Sequence, residues 1–155
     1  MFEIIDRVLK DDQNFWNALY SIGFTILALA LVAITYSVNG GLPRSIDFFD
    51  AVLLSLATFR LVRLFVYDKV TAWIRAMFND AVDGPRKTLA DLLGCPWCFG
   101  VWAALGLVFV YFVFPVAWYF ILILAIAGVG SFLQLLSNLI GWKAELGKLE
   151  TRSKG

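Results

Sequence analysis

The sequence predicts an all-α integral membrane protein that folds as a bundle of four transmembrane helices. Of the 155 residues, 61% are hydrophobic and 16% are charged, whereas a soluble domain is about 45–50% apolar and about 25% charged. The apolar residues form long runs, and turn residues and charges lie between the runs. We therefore assign the excess apolar surface to contact with lipid.

The N-terminal residues 1–13 carry six charged side chains and predict a short interfacial helix, not a cleavable signal peptide. Asp12 or Asn14 is expected to cap the start of the next helix. Residues 16–38 contain no charge and are long enough to cross a hydrocarbon core of about 30 Å. This run predicts the first transmembrane helix.

The second predicted span is 46–67, with Ser45 as the expected N-cap. Its uncharged stretch is short, because two aspartates precede residues 51–59 and two arginines follow them. The span would be about 33 Å long at about 1.5 Å per residue, so its charges can reach the two membrane surfaces. The alternative is a bundle of three spans in which residues 46–67 lie in the interface.

The loop 68–95 is predicted to contain an amphipathic helix at 69–82. Its apolar residues recur at i, i+3, i+4, i+7 and i+8, which favours a helix that lies flat on the membrane. A second short helix is expected from Lys87 to Leu93, ending at Gly94. The apolar positions of the membrane-surface helix are Val70, Trp73, Ile74, Met77 and Phe78.

Residues 97–114 and 117–140 predict the third and fourth spans, with a tight turn at Pro115 between them. This uncharged stretch is too long for one crossing and suits two. The predicted transmembrane bundle is 14–142, and residues 143–155 form a charged tail.

The basic residues indicate how the bundle is oriented. Four spans place twelve of the 13 lysines and arginines beside the N-terminus, the 68–95 loop and the tail, and leave only Arg44 on the other side. The positive-inside rule makes the basic side cytoplasmic. We expect a multi-pass protein of the bacterial cytoplasmic (inner) membrane, with its cysteine pair and C-terminus facing the cytoplasm. Three spans would move the N-terminus outside and leave the cysteines in the cytoplasm.

The sequence Cys95-Pro96-Trp97-Cys98 opens the third span. Pro96 fits the first helical turn, which places Cys95 near the N-cap and Cys98 within that turn. The positive end of the helix lowers a thiol pKa at such a position. Local packing is the favoured interpretation. The alternatives are a redox pair and a metal site that Cys95 and Cys98 form between two subunits, because zinc needs four ligands.

A cluster of five polar side chains is predicted at similar depth in the second and fourth spans. Two arginines lie one helical turn apart on one span, and three uncharged polar residues follow an i, i+3, i+7 stripe on the other. Hydrogen bonding between helices is the favoured interpretation, and a site for an anionic headgroup or small ligand is the alternative. The cluster consists of Arg60, Arg63, Ser131, Gln134 and Asn138.

Three segments resemble the domain of unknown function 1360 family of small bacterial and phage integral membrane proteins. They are SLATFRLVRLFVYDKVTAWIR from residue 55, GPR at 84–86 and LLGCPWCFGVW at 92–102. The resemblance covers residues 55 to about 136, and the arginine pair, Tyr67-Asp68 and CPWC are its most specific elements. It implies membrane residence and no agreed enzymatic activity. Sporulation and phages of actinobacteria are the contexts that it suggests.

These observations predict a non-enzymatic membrane protein that acts by membrane assembly or by docking a partner on residues 69–98 and the tail. No catalytic residue and no cofactor are predicted, since histidine is absent and no catalytic constellation is present. The expected partners are the bilayer and a second copy or another membrane protein. A net charge of +1 disfavours nucleic acid. The alternatives are a membrane thiol redox protein or metal/redox sensor, and a holin-like lysis protein.

Overall fold

The computed structural model describes the backbone of residues 2–41 and 45–153, and the side chains of 12–41, 45–149 and 151–152. Over these residues the secondary structure is helical, with turns between the helices, which confirms the all-α class. A π-helical turn, Arg63–Tyr67, follows the second helix directly, and a 3-10 turn, Lys69–Thr71, precedes the third. The α-helices are α1 Phe2–Asn39, α2 Phe48–Val62, α3 Ala72–Ala76, α4 Gly84–Gly94, α5 Pro96–Val113 and α6 Ala117–Ser153.

Three of the helices are long and apolar enough to cross a membrane. Their candidate spans are Asp12–Asn39, Pro96–Val113 and Ala117–Leu149. The second predicted span is not among them, because the α-helix there ends at Val62 after 15 residues. By length and composition, the described residues thus support three spans, and a fourth remains a proposal.

Helix α1 is longer than the sequence predicts. It runs without a break from Phe2 to Asn39, so the expected new start at Asp12 or Asn14 does not occur. Intrinsic helix propensities are weak and tertiary contacts override them. The contact here is polar: Gln13 donates a hydrogen bond to Thr88 of α4 at 2.8 Å.

The N-cap of α2 is Asp47, not Ser45. The Asp47 backbone is extended, and its carboxylate accepts a hydrogen bond from the Phe49 N–H at 3.1 Å. Aspartate and serine cap helices about equally well. The residue at which the chain enters the helix bundle therefore decides whether aspartate or serine is the cap.

The amphipathic helix predicted at 69–82 is much shorter. Helix α3 spans only Ala72–Ala76 and is followed by turns. The shortening has a local cause, since Arg75 folds back toward the end of the preceding π-helical turn and does not remain on an outer polar face. Helix α4 extends from Gly84 to Gly94 and ends where the sequence predicts.

Helix α2 lies in the middle of the bundle, where it packs against both α5 and α6, while α1 packs against α4 and α5. The α2–α6 contact is close because small residues line it. A Cβ atom on Gly128 would lie only 2.5 Å from the carbonyl oxygen of Leu56. The buried core consists of Leu54, Ala57, Leu107, Ala117, Ile121 and Ala125.

The turn between α5 and α6 contains Pro115, as predicted. It is closed by a hydrogen bond from the Ala117 N–H to the Phe114 carbonyl oxygen at 2.9 Å. Helix α6 then continues to Ser153. The described part of the predicted tail is therefore an extension of this helix.

Candidate functional sites at one end of the bundle

The π-helical turn at Arg63–Tyr67 is the main irregularity in the described backbone. The Asp68 N–H donates a hydrogen bond to the Arg63 carbonyl oxygen, five residues earlier, at 3.0 Å. Single π-helical turns are rare in proteins, and those that do occur are often at functional sites. Here the turn ends the helical segment that begins with α2 and directs the chain toward the loop.

The Arg75 side chain holds this turn in place. Its guanidinium donates to the carbonyl oxygens of Phe65 at 2.6 Å and Asp68 at 2.9 Å, and the Thr71 hydroxyl donates to the carbonyl of Leu64. These are carbonyls that a helix end leaves without an intrahelical partner. Helical periodicity could not predict these Arg75 hydrogen bonds, because they form only where the chain bends at Asp68.

A cleft between the π-helical turn and α6 contains all five polar residues that the sequence predicts to cluster. Arg60 is its central contact: its Nη1 atom lies 3.1 Å from Ser131 Oγ and 3.0 Å from Asp68 Oδ2. The cleft has a volume of about 510 Å³. Its lining residues are Arg60, Arg63, Asp68, Ala127, Gly130, Ser131, Gln134, Leu135 and Asn138.

Asp68 is the polar residue of this cleft that the sequence cluster lacks. It comes eight residues after Arg60, beyond the predicted span, and only the π-helical turn brings the two together. The Arg60–Asp68 ion pair is about a quarter exposed. The second arginine, Arg63, lies over the ring of Tyr67 with its guanidinium carbon 5.3 Å from the ring centre. The described residues form no ion pair with Arg63.

The cysteine pair has the predicted cap geometry. Cys95 is the N-cap of α5, and its sulfur accepts a hydrogen bond from the Cys98 N–H at 3.2 Å. Hydrogen bonds from the Cys98 side chain and backbone lower the pKa of the Cys95 thiol, and burial partly opposes them. The two cysteines are not joined by a disulfide.

Both thiols line a cavity of about 570 Å³ between α1, α4 and α5. Polar side chains of α1 and α4 form part of its wall, among them Asn17, Ser21 and Asp91. The described residues contain no group of three or more histidine, cysteine, aspartate or glutamate side chains placed to hold a metal ion. The metal alternative therefore depends on a second subunit.

The residues predicted for a membrane-surface helix do not share one face. Val70, Trp73 and Met77 are exposed, whereas Ile74 and Phe78 are half-buried. The apolar stripe is divided because the helix is too short to present it as one surface. Its exposed members remain a proposed contact with the membrane surface.

A second polar cluster joins three helices at the opposite end of α2. The Asp50 carboxylate accepts hydrogen bonds from the Tyr111 hydroxyl and, at 3.3 Å, from the Trp118 indole N–H. The sequence signal for this contact was Asp50 itself, an acidic residue beside an apolar run, but its partners lie more than sixty positions away.

Helix α6 carries an apolar heptad seam, meaning a row of residues spaced alternately three and four apart. The row begins buried against α2, with Ile121 and Ala125 at 2% and 1% exposure. Its exposure then rises, to 50% at Phe132 and 38% at Leu135, and the members that follow are exposed by 54–71%. The exposed part, which we call the α6 seam, consists of Leu139, Trp142, Leu146 and Leu149.

The three candidate spans suggest that the chain is a small helical protein that associates with a lipid bilayer. The chain belongs to the family described as protein of unknown function (DUF1360), whose model matches residues 53–87 and 79–137. This match confirms the resemblance that the sequence motifs indicate. The matched residues include both arginines of the cleft, Asp68 and the cysteine pair.

Two relatives from Bacillus subtilis (strain 168) are similar to this chain over most of their own length. The sporulation protein YjcA is 38% identical over an alignment of 103 residues, and the match covers 55% of this chain and 87% of that protein. The UPF0713 protein YngL is 36% identical over an alignment of 102 residues, and the match covers 57% of this chain and 78% of that protein. No solved structure matches the chain.

Proposed function

We propose that the chain is a non-enzymatic, polytopic membrane protein that acts by assembling with a second copy of itself along the α6 seam. One observation carries the proposal: the heptad row that packs α6 against α2 continues beyond the bundle with no partner among the described residues. A helix normally buries an apolar stripe of this spacing against another helix.

A second copy is the occupant that the geometry favours. Copies inserted in one membrane share one orientation, so two α6 helices related by a twofold axis run parallel, and Leu146 meets its own counterpart. The seam is flanked by Lys143 on one side and Glu145 on the other. Because these charges are of opposite sign, the surface selects neither an acidic nor a basic partner, and apolar contact supplies the affinity.

The proposed membrane arrangement has four spans, with α2 and the π-helical turn together forming the second. Residues 48–67 are continuously helical, and twenty helical residues cover about 30 Å, the thickness of a hydrocarbon core. The distribution of basic residues supports a cytoplasmic location for the cysteine pair and for the part of the α6 seam that follows residue 140. The name of the YjcA relative favours a role in sporulation membranes over a phage or holin-like role.

The assembly is tested by disulfide crosslinking in membrane vesicles. In a background with Cys95→Ser and Cys98→Ser, Leu146→Cys should form a covalent dimer on mild oxidation. Ala144→Cys is the matched control, because position 144 lies on the opposite face of α6. Equal crosslinking at the two positions, or none at Leu146→Cys, would reject the seam as the interface.

The orientation is tested by maleimide labelling of the natural cysteine pair in intact cells and in inverted vesicles. Labelling only in inverted vesicles, without prior reduction, is the expected result. Labelling in intact cells would place Cys95 and Cys98 outside and reverse the proposed orientation.

A thiol redox protein is the second candidate function, supported by the two thiols that line one cavity and by the lowered pKa of Cys95. In this reaction the Cys95 thiolate attacks the disulfide of a partner protein, and Cys98 then displaces the partner's thiol and closes a Cys95–Cys98 disulfide. A requirement for reduction before maleimide labelling would favour this function. Retained function of a Cys95→Ser, Cys98→Ser variant would exclude it.

A further inference from the structure

We propose that the cleft between the π-helical turn and α6 binds a phosphate group, supplied by a phospholipid headgroup or by a soluble phosphate ester. Arg63 would be the main contact, with Asn138 as a second donor. This inference concerns a different surface from the α6 seam and does not depend on assembly of two copies.

The charges of the cleft favour an anion. Arg60 and Arg63 contribute two positive charges, and Asp68 contributes one negative charge that is already 3.0 Å from Arg60. The cleft therefore has one positive charge in excess, and Arg63 carries it. Since the described residues offer Arg63 only the face of Tyr67, its N–H donors are left for a ligand. A guanidinium binds phosphate oxygens with two parallel hydrogen bonds.

The opposite wall of the cleft supplies uncharged donors. Gln134 donates from its Nε2 atom to the Asn138 Oδ1 atom at 3.1 Å. This bond occupies the Asn138 carbonyl oxygen and leaves its NH₂ group as a donor without a partner among the described side chains. The amide and Arg63 thus line the same cleft from two elements. A volume of about 510 Å³ is within the range of small-molecule sites, which is about 300–1,000 Å³.

The backbone conformation at the π-helical turn leaves Arg63 available to a ligand. The π-helical turn places Asp68 against Arg60, and Arg75 fixes the turn through the carbonyls of Phe65 and Asp68. Arg60 is thereby held by Asp68 and Ser131 and is a positioning residue. Arg63 is left as the arginine that can turn toward a ligand.

The test uses the full-length protein, delipidated in a neutral detergent, and two probes: phosphatidylglycerol and inorganic phosphate. Native mass spectrometry counts bound phosphatidylglycerol, with phosphatidylcholine as the zwitterionic control lipid. Stabilisation against heat measures the binding of inorganic phosphate. Arg63→Gln should weaken binding about tenfold, because it removes charge-assisted hydrogen bonds. Arg152→Gln, at the far end of α6, is the matched charge control and should leave binding unchanged.

Asn138→Ala is a second variant, on an exposed surface where substitution preserves folding, and should weaken binding about threefold through loss of a neutral hydrogen bond. Circular dichroism shows whether each variant is folded. Dependence of phosphatidylglycerol binding alone on Arg63 would assign the site to a headgroup, and dependence of inorganic phosphate binding would assign it to a soluble phosphate. If folded Arg63→Gln and Asn138→Ala bind both probes like the natural chain, the proposal is wrong.

Discussion

The close contact between α2 and α6 predicts that Gly128 tolerates no larger residue. A Cβ atom on Gly128 would lie 2.5 Å from the Leu56 carbonyl oxygen, where ordinary contacts begin at 3.4 Å. The obstacle is backbone and cannot rotate away, so Gly128→Ala must separate the helices by about 0.9 Å, and overpacking of this kind costs about 1–3 kcal/mol. Alanine also gains about 1 kcal/mol of helix propensity over glycine, which opposes this cost.

Gly130→Ala separates the two effects. It makes the same chemical change half a helical turn away, where a Cβ meets nothing within 4 Å. The propensity gain is common to both variants, so Gly128→Ala should be less stable than Gly130→Ala by about 1–3 kcal/mol. The assay is unfolding in mixed micelles by titration with sodium dodecyl sulfate, followed by circular dichroism. Equal unfolding free energies would show that α6 does not approach α2 as closely as the structure has it.

Three further predictions concern side-chain contacts. Arg75→Gln should lower the free energy of unfolding by about 1–3 kcal/mol, because two carbonyls lose their charged donor. The sodium dodecyl sulfate titration measures this loss. Tyr111→Phe removes the hydroxyl that bonds the Asp50 carboxylate and should cost about 1–2 kcal/mol in that assay, since Asp50 keeps its second donor. Cys98→Ala removes the hydrogen-bonding thiol that lowers the pKa of Cys95. The pH midpoint for alkylation of Cys95 by iodoacetamide should therefore move upward, because the thiolate is the reacting form.

The arginine and tyrosine predictions each have a control on the exposed surface. Arg86→Gln removes an arginine with one exposed backbone hydrogen bond, and Tyr119→Phe changes an exposed tyrosine. Both should be close to neutral. If Arg75→Gln or Tyr111→Phe lowers the free energy of unfolding no more than its control does, the structure's contact at that residue is contradicted. For the cysteines, an alkylation midpoint unchanged by Cys98→Ala would show that Cys98 does not set the reactivity of Cys95.

Much of the candidate site could be predicted from the sequence. Arg60 and Ser131 occur on separate apolar runs, and matching their depth in a bilayer was enough to place them near one another. The N-cap position of Cys95 was predictable because proline fits the first turn of a helix. Asp68 could not be added to the cluster in this way, since an α-helix continued through residue 67 would not bring it to Arg60.

Composition and the spacing of apolar runs determined the all-α class and the long apolar helices, and the resemblance of three sequence segments indicated the family. These are local properties, because a long uncharged run needs a helix in lipid whatever surrounds it. The tertiary structure decided what local patterns leave open: the π-helical turn, the course of Arg75 and the extent of α1 through Asp12. The extent of α1 depends on Thr88, a partner distant along the chain, and weak local preferences yield to such contacts. The π-helical turn and Arg75 depend on contacts across a bend in the chain, which helical periodicity does not encode. The order of helices around α2 was decided in the same way, by where glycine and alanine allow two backbones to meet.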